Sequence, residues 1–482
     1  MENIGGVASG AHSSQKTIIV AGGGLAGYLT AAFLVKQLQP SHRIVLLPNC
    51  GSSKFDFLYG GATAPTAYEF LRSIGLDEPN LIRNSSTSFS FGTHVQRWPA
   101  ETSDWVQCHH LPLPALNAVP FQHHLTRIGA DLQSLLVSAA AAKAGKFAHP
   151  PQDPKVPLSR AEYGYQFDAA ELVRLIGQEL IQGHIEMRPE AVTQIEVDGP
   201  SIAGLTLETG EHLQGDLFID CSGPERRLLN ALDAKFAANR TISAHSETVP
   251  AQRLGPPVRH LVAESNGWLI KTHLQGKTTS LRVSEPEEQD TVVLGQVDSA
   301  WIGNCLAIGQ AASVMEPLTP APMMLLQSDI ERLLELIPVT EDCAMERKEY
   351  NRRYKDDVSH ARLFQDALLL SSEAYQTPYW EEAVASARSD ALERKIVQFE
   401  HRGLLVRYDL ERFTDEDWLT LHIGMGRKPS RFDRQVERFA LQETQRQFSG
   451  LQSAIQQIVS RMPPHHDYVV NLKRYLEKQN HG

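Results

Sequence analysis

The stretch Thr17-Ile18-Ile19-Val20-Ala21-Gly22-Gly23-Gly24-Leu25-Ala26-Gly27 decides the fold. Its first five residues are apolar or β-branched, which predicts a short buried strand. Gly22, Gly24 and Gly27, with Leu25 and Ala26 between the last two, fit the spacing G-x-G-x-x-G. The first glycine permits a tight turn, the second lets backbone approach a pyrophosphate, and the third lets the next helix pack on the strand. Tyr28 to Leu38 carries apolar residues at helical spacing, and Arg43 to Leu47 reads as a second apolar strand. Strand, glycine turn, helix and strand make a βαβ unit whose helix N-terminus faces the phosphates of a dinucleotide. A carboxylate about 20 residues on normally binds the ribose. Here the second strand ends Leu47-Pro48-Asn49, so Asn49 is the polar group left at that position.

Outward from this unit, Ala169 to Ile181 predicts an amphipathic helix, and 191–197, 204–208 and 216–220 predict strands between turns. Cys305 to Ile308 reads as a buried strand with a helix, Met323 to Leu336, behind it. Beyond residue 340 the chain turns helical and charged, and the Pro-rich segment 145–160 reads as an exposed loop. The expected organisation is a disordered lead-in over 1–16, a nucleotide module with an interleaved substrate region over 17–336, and a helical region over 337–482 that covers the substrate site. The net charge of −11 argues against a nucleic-acid partner, since phosphate backbones are bound by clustered Lys and Arg. Five cysteines without C-x-x-C spacing read as reduced thiols. With no apolar run long enough to span a bilayer, the expectation is a cytoplasmic protein without a membrane partner. The pairs His109–His110, His123–His124 and His465–His466 lack ligand spacing with Cys or carboxylates, so no metal is expected.

Several separated segments together resemble one family, the flavin-dependent tryptophan halogenases. Tyr59-Gly60-Gly61-Ala62-Thr63-Ala64-Pro65 resembles its flavin strap, V-G-E-A-T-x-P. Tyr163 to Ala169 (YGYQFDA) is similar to Y-x-Y-x-F-D-A, and Asn304 to Leu318 to N-C-x-A-I-G-x-A-x-x-x-x-E-P-L. Asp216 to Gly223 (DLFIDCSG) and Trp418 with Gly424-Met425-Gly426 and Pro429 complete an ordered series. The resemblance implies an α/β fold: a Rossmann-like FAD module of the flavin monooxygenase type, a mixed-sheet substrate region and a helical C-terminal part. It also implies FAD as cofactor, held by the glycine turn and by Gly60, Ala62, Thr63, Gly309 and Gln310.

Three departures from the family pattern bear on chemistry. The strand that carries the family's lysine is here Ser88 to His94, with Ser90 at the lysine position. The run E-P-L-E-S-T-G is here Glu316-Pro317-Leu318-Thr319-Pro320-Ala321-Pro322, with Thr319 for the glutamate. Pro320 and Pro322 have no N–H to offer a halide. The W-x-W-x-I-P signature keeps only Trp268. Ser90, His94, Glu316 and Thr319 are therefore the candidate catalytic positions. Each has a plainer reading: strand residue, satisfied histidine, structural carboxylate, core position. Trp268 and Trp380 read more simply as core.

The expected function is an FAD-dependent monooxygenase that hydroxylates an indole or tryptophan, with a tryptophan-containing protein or peptide as partner. One branch resembles the chain in this respect, the flavoprotein that dihydroxylates a peptidyl tryptophan in quinohemoprotein amine dehydrogenase cofactor biogenesis. The alternatives are a halogenase with an altered site, using a lysine such as Lys271, and a non-catalytic FAD-binding assembly factor. No second dinucleotide motif is evident, so the source of reducing electrons is left open.

Overall fold

The computed structural model describes residues 15–479 except 114, 288–289, 339–342 and 371–374. Most of the expected lead-in lies outside these residues, and the first strand already begins at Lys16. Strand Lys16–Ala21, helix Leu25–Leu38 and strand His42–Leu47 form the βαβ unit. Its two strands run parallel in register from Lys16↔His42 to Ala21↔Leu47. Both are nearly solid apolar runs because helices cover both faces of a parallel sheet.

Among the described residues the nucleotide sheet has the order Trp301–Ile302, Cys305–Ala307, Leu217–Asp220, Lys16–Ala21, His42–Leu47 and Glu186–Met187. Strands from three distant parts of the chain thus close around the N-terminal one. The helix behind Cys305–Ala307 runs Ala321–Glu335. The expected helix Ala169–Ile181 is α-helical to Ile176 and finishes as a π-turn, Gly177–Ile181.

The second layer is an eight-stranded sheet ordered Ser313–Val314, Thr291–Val297, Phe236–Pro250, Lys277–Ser284, Gly267–Leu274, Arg259–Glu264, Thr93–Gln96 and Asp104–Gln107. Its neighbours alternate in direction except at Arg259–Glu264 and Thr93–Gln96, which are parallel. After residue 340 the chain is helical, with Ala344–Leu369, Pro378–Ala387, Asp390–Arg402, Asp415–Gly424, Leu441–Arg461 and His465–Gln479. These helices are charged on one face and packed on the other, as in Ala344–Leu369, where Tyr350, Tyr354, Val358, Ala361 and Phe364 are buried.

The Pro-rich segment 145–160 is anchored at its start rather than exposed throughout. Phe147 is fully buried and stacks on Phe89 with ring centroids 4.3 Å apart. Trp98 and Trp380 meet edge to face at 4.8 Å, and their indole N–H groups donate to the carbonyls of Leu368 and Glu264. Among the described residues no helix is long and apolar enough to cross a membrane.

Candidate functional site

The glycine turn is packed to the limit of its backbone. Gly22 sits at φ +146°, and its amide donates to Leu47 O at 3.0 Å. A Cβ at Gly22 would lie 2.1 Å from Cys221 O, and one at Gly27 2.0 Å from Gly22 O. Gly24 differs: its nearest neighbour is no backbone atom but the Asp56 carboxylate, 2.7 Å from a built Cβ. Asp56 Oδ2 accepts the Leu25 amide at 2.8 Å. The first free N–H of the helix, the group a pyrophosphate takes in this fold, is thus held by the chain's own carboxylate. Burial pushes the Asp56 carboxyl up to about 6. The Asn49 side-chain amide donates to Pro189 O.

The strap over residues 59–65 is entered through residues 50–58, which lengthen it to 50–65. The 3₁₀ turn Asp56–Tyr59 joins the two parts of the strap, and Gly60 and Gly61 follow at φ +81° and +59°. The segment Tyr163 to Ala169 clasps its far side. Thr63 N donates to Tyr165 O at 2.9 Å, Tyr165 N to Thr63 Oγ1 at 2.9 Å, and Phe167 N to Gly61 O at 2.9 Å. Ala62 forms an isolated bridge with Gln166. Opposite the turn, Gln310 Nε2 donates to Phe55 O at 2.9 Å and Gln310 N to the Tyr59 hydroxyl at 3.3 Å. Gly309, at φ +64°, leaves just enough room for that hydroxyl, 2.5 Å from a built Cβ. Leu25, Ala26, Gly309 and Gln310 thus meet near Asp56 and Tyr59, whereas Ala62 and Thr63 lie against Tyr165 and Gln166. A cavity of about 190 Å³ remains beside Gly60 and Gly61, walled by Phe167 and Thr272. That is below the roughly 300 Å³ at which ligand pockets begin. The glycine turn, with its close backbone contacts and the helix N-terminus behind it, fits the pyrophosphate of FAD.

Ser90 and Thr319 both lie beside the strap, and one residue that sequence reasoning missed joins them. Ser90 is buried, and its Oγ donates to Gly92 O at 3.0 Å. The same carbonyl accepts the Arg259 amide at 3.2 Å. The Arg259 side chain is fully buried. It donates to Gly60 O at 3.2 Å, Pro317 O at 2.8 Å, Leu318 O at 2.9 Å and Thr93 Oγ1 at 3.3 Å. Its Nε has no partner among the described residues. Burial lowers the guanidinium to about 9, and it stays charged at neutral pH. Bonded to Thr93, three residues after Ser90, and to Leu318, one before Thr319, this cation ties the strap to the turn Pro317-Leu318. Its partners are mostly main-chain carbonyls, which leave no mark in sequence.

Thr319 is buried, and its Oγ1 accepts the amide of Ala321, the first residue of helix Ala321–Glu335, at 3.2 Å. Glu316 is spoken for elsewhere. It is 1% exposed, ion-paired with Arg240, and accepts the Trp268 indole N–H at 3.1 Å. The Arg240 guanidinium in turn lies 4.9 Å over the Tyr379 ring.

His94 does not share a face with Ser90. The expected parity assumes one strand, but Gly92 at φ +133° breaks it into Ser88–Ser90 and Thr93–Gln96, in different sheets. Thr93 points toward Arg259, so His94 points away. His94 Nε2 bonds Asp104 Oδ1 at 2.8 Å, and its ring is 5.1 Å from that of His260. His260 Nδ1 in turn meets His273 Nε2 at 3.3 Å. Burial lowers both His260 and His273 to about 4. Lys271 pairs with His260 and is exposed on that same far face, opposite Thr272, which lines the cavity. Among the described residues no group of three or more His, Cys, Asp or Glu is placed to hold a metal.

Comparison with known proteins gives a consistent picture. A family model described as tryptophan halogenase matches residues 17–290 and 279–440. The tryptophan 6-halogenase ThaL of Streptomyces albogriseolus is 24% identical over 437 residues, covering 79% of this chain and 81% of that protein. The solved structure of BrvH, a flavin-dependent halogenase from Brevundimonas sp. BAL3, superposes with a TM-score of 0.87 at 23% identity, over 95% of this chain and 99% of that one. Xcc4156, a flavin-dependent halogenase from Xanthomonas campestris, gives 0.86 at 22% identity, over 95% and 98%.

Proposed function

The chain belongs to the tryptophan halogenase family, whose cofactor is FAD, and from that premise we propose that it oxygenates an aromatic indole rather than halogenating it. The observation that carries this reading is the pair of neutral residues at the family's charged positions. Ser90 spends its hydroxyl on Gly92, and Thr319 accepts the Ala321 amide. A hydroxyl cannot hold an oxidised halogen as an amine does. The two prolines at 320 and 322 take away the amides that would bind a halide.

When bound and reduced, FAD supplies the two electrons with which one oxygen atom of O₂ enters a ring and the other leaves as water. The chain's own part is positioning and exclusion of water. Arg259 fixes Gly60 against Pro317 and Leu318, so strap and turn are held together. Glu316, neutralised by Arg240, supports the turn from behind. The branch resembled at sequence level favours a tryptophan presented within a peptide or protein. The relatives' names favour the second reading, halogenation of tryptophan.

Mass spectrometry separates the two. Free tryptophan and tryptophan-containing peptides are incubated with the protein, reduced FAD, oxygen, and chloride or bromide. Oxygen mass on the indole, unchanged by halide, is expected. Halogen mass would overturn the oxygenase reading in favour of the second one.

A further inference from the structure

The chain presents a carboxylate of its own to the first amide after the glycine turn. Asp56 accepts the Leu25 amide at 2.8 Å, at the start of a fourteen-residue helix. The pyrophosphate of a dinucleotide would use the same amide and the same positive helix end. An independent contact holds the same segment, where the Tyr59 hydroxyl accepts the Gln310 amide and fills the space left by Gly309. Both groups stand on one 3₁₀ turn, Asp56–Tyr59. The turn is flanked by Gly51 at φ +98° and Gly60 at φ +81°, conformations that glycine adopts without side-chain cost. Lys54, paired with Asp290 at 2.7 Å, and Gln310, bonded to Phe55 O, hold the closed position.

We propose that Asp56 is an internal competitor for the FAD pyrophosphate, so that the dinucleotide binds only when the strap swings outward and the carboxylate leaves the helix end. This rests on the FAD assignment and goes beyond it, to what sets the affinity. The free protein lies mostly in a state that cannot bind, and its apparent affinity falls by the fraction that is open.

The competition has a definite sign with pH. The other ionisable groups on the same cavity are Lys54 and Asp168, and Asp168 is held by Lys277 at 2.8 Å. Tyr59 lies within the turn itself, and the first helical turn carries no acidic residue. In the closed strap the Asp56 carboxyl titrates near 6, against an ordinary 3.8. The closed state is therefore most stable below the ordinary value and loses stability as pH rises through about 6. Binding that expels Asp56 into water releases a proton, so FAD affinity should rise from about pH 5 to about pH 7. A carboxylate that stayed beside the phosphates would give the opposite slope.

The test is FAD titration by flavin fluorescence, on wild type, Asp56→Ala and Asp56→Asn, from about pH 5 to pH 8. Asp56→Ala should bind FAD about tenfold more tightly near neutrality, with its pH slope lost. In cofactor-free protein the Leu25 amide should exchange its hydrogen faster in Asp56→Ala. Unchanged or weaker binding by Asp56→Ala would overturn the competitor. Binding of FAD by neither wild type nor variants would overturn the cofactor assignment itself, and the gate with it.

Discussion

Arg259 shows how much a single side chain can decide without leaving a trace in sequence. It follows Gly255-Pro256-Pro257-Val258 and looks like one more surface cation. Its four acceptors lie on three other segments, and three of them are main-chain carbonyls. Arg259→Met would strand those carbonyls in the core. Hydrogen bonds from a charged donor contribute about 1.5–3 kcal/mol each, partly offset by removing an unpaired buried cation. The expected net loss is about 2–4 kcal/mol in urea denaturation, with weaker FAD binding because the strap loses its tie. Arg259→Lys should recover part of both, since an ammonium has three donors but no fork. A wild-type midpoint in Arg259→Met would show that the guanidinium does not hold this junction. The candidate positions themselves were only partly legible. Motif alignment picks out Ser90 and Thr319 as the family's two charged positions, but not the Arg259 junction beside which they lie. His94 was placed by strand parity, which fails because Gly92 breaks the strand. Glu316 reads as available in sequence only because Arg240 and Trp268, its partners, are far away along the chain.

At the scale of elements, the glycine turn was the most legible feature because every part of it is local. Strand, turn and helix lie within Lys16–Leu38, and Gly27 answers to the carbonyl of Gly22 within the same turn. The strap was legible as a motif but not as a conformation, since what it covers depends on Gln310 and on the Leu25 amide. The glycines also separate into two classes, and substitution should distinguish them. Gly27→Val drives a side chain into the Gly22 carbonyl, 2.0 Å from its Cβ, and should lower the thermal midpoint sharply. Gly24→Val meets a movable carboxylate at 2.7 Å. It should leave the circular dichroism melt nearly unchanged, yet abolish flavin binding by filling the approach to the phosphates. Wild-type flavin content in Gly24→Val would remove the turn from the cofactor site. The helix over 169–181 was placed correctly, but its π-turned end was not foreseen, because a single extra residue per turn leaves the apolar spacing almost unaltered.

For the whole molecule, the two-layer plan and the helical C-terminal part follow from periodicity and from the family pattern, and the eight-stranded sheet's order does not. That order brings Thr93–Gln96 beside Arg259–Glu264, a pairing across more than a hundred residues that no local signal encodes. The anchoring of Phe147 under the C-terminal helices is equally non-local, through contacts to His465 and Tyr468. The interleaving of the nucleotide sheet has a further consequence, in biosynthesis. Lys16–Ala21 emerges first from the ribosome, but its neighbour Leu217–Asp220 and the next strand, Cys305–Ala307, follow much later. At about 5–20 residues per second, the first strand waits from about a quarter of a minute to about a minute for the sheet to close. A chain stopped at residue 300 should therefore be digested completely by a trace of protease, whereas the full chain resists; a stable N-terminal fragment would contradict this. During that wait an apolar β-branched strand and its glycine turn stand uncovered, and the nascent chain should be held by chaperones longest exactly where its most recognisable motif is written.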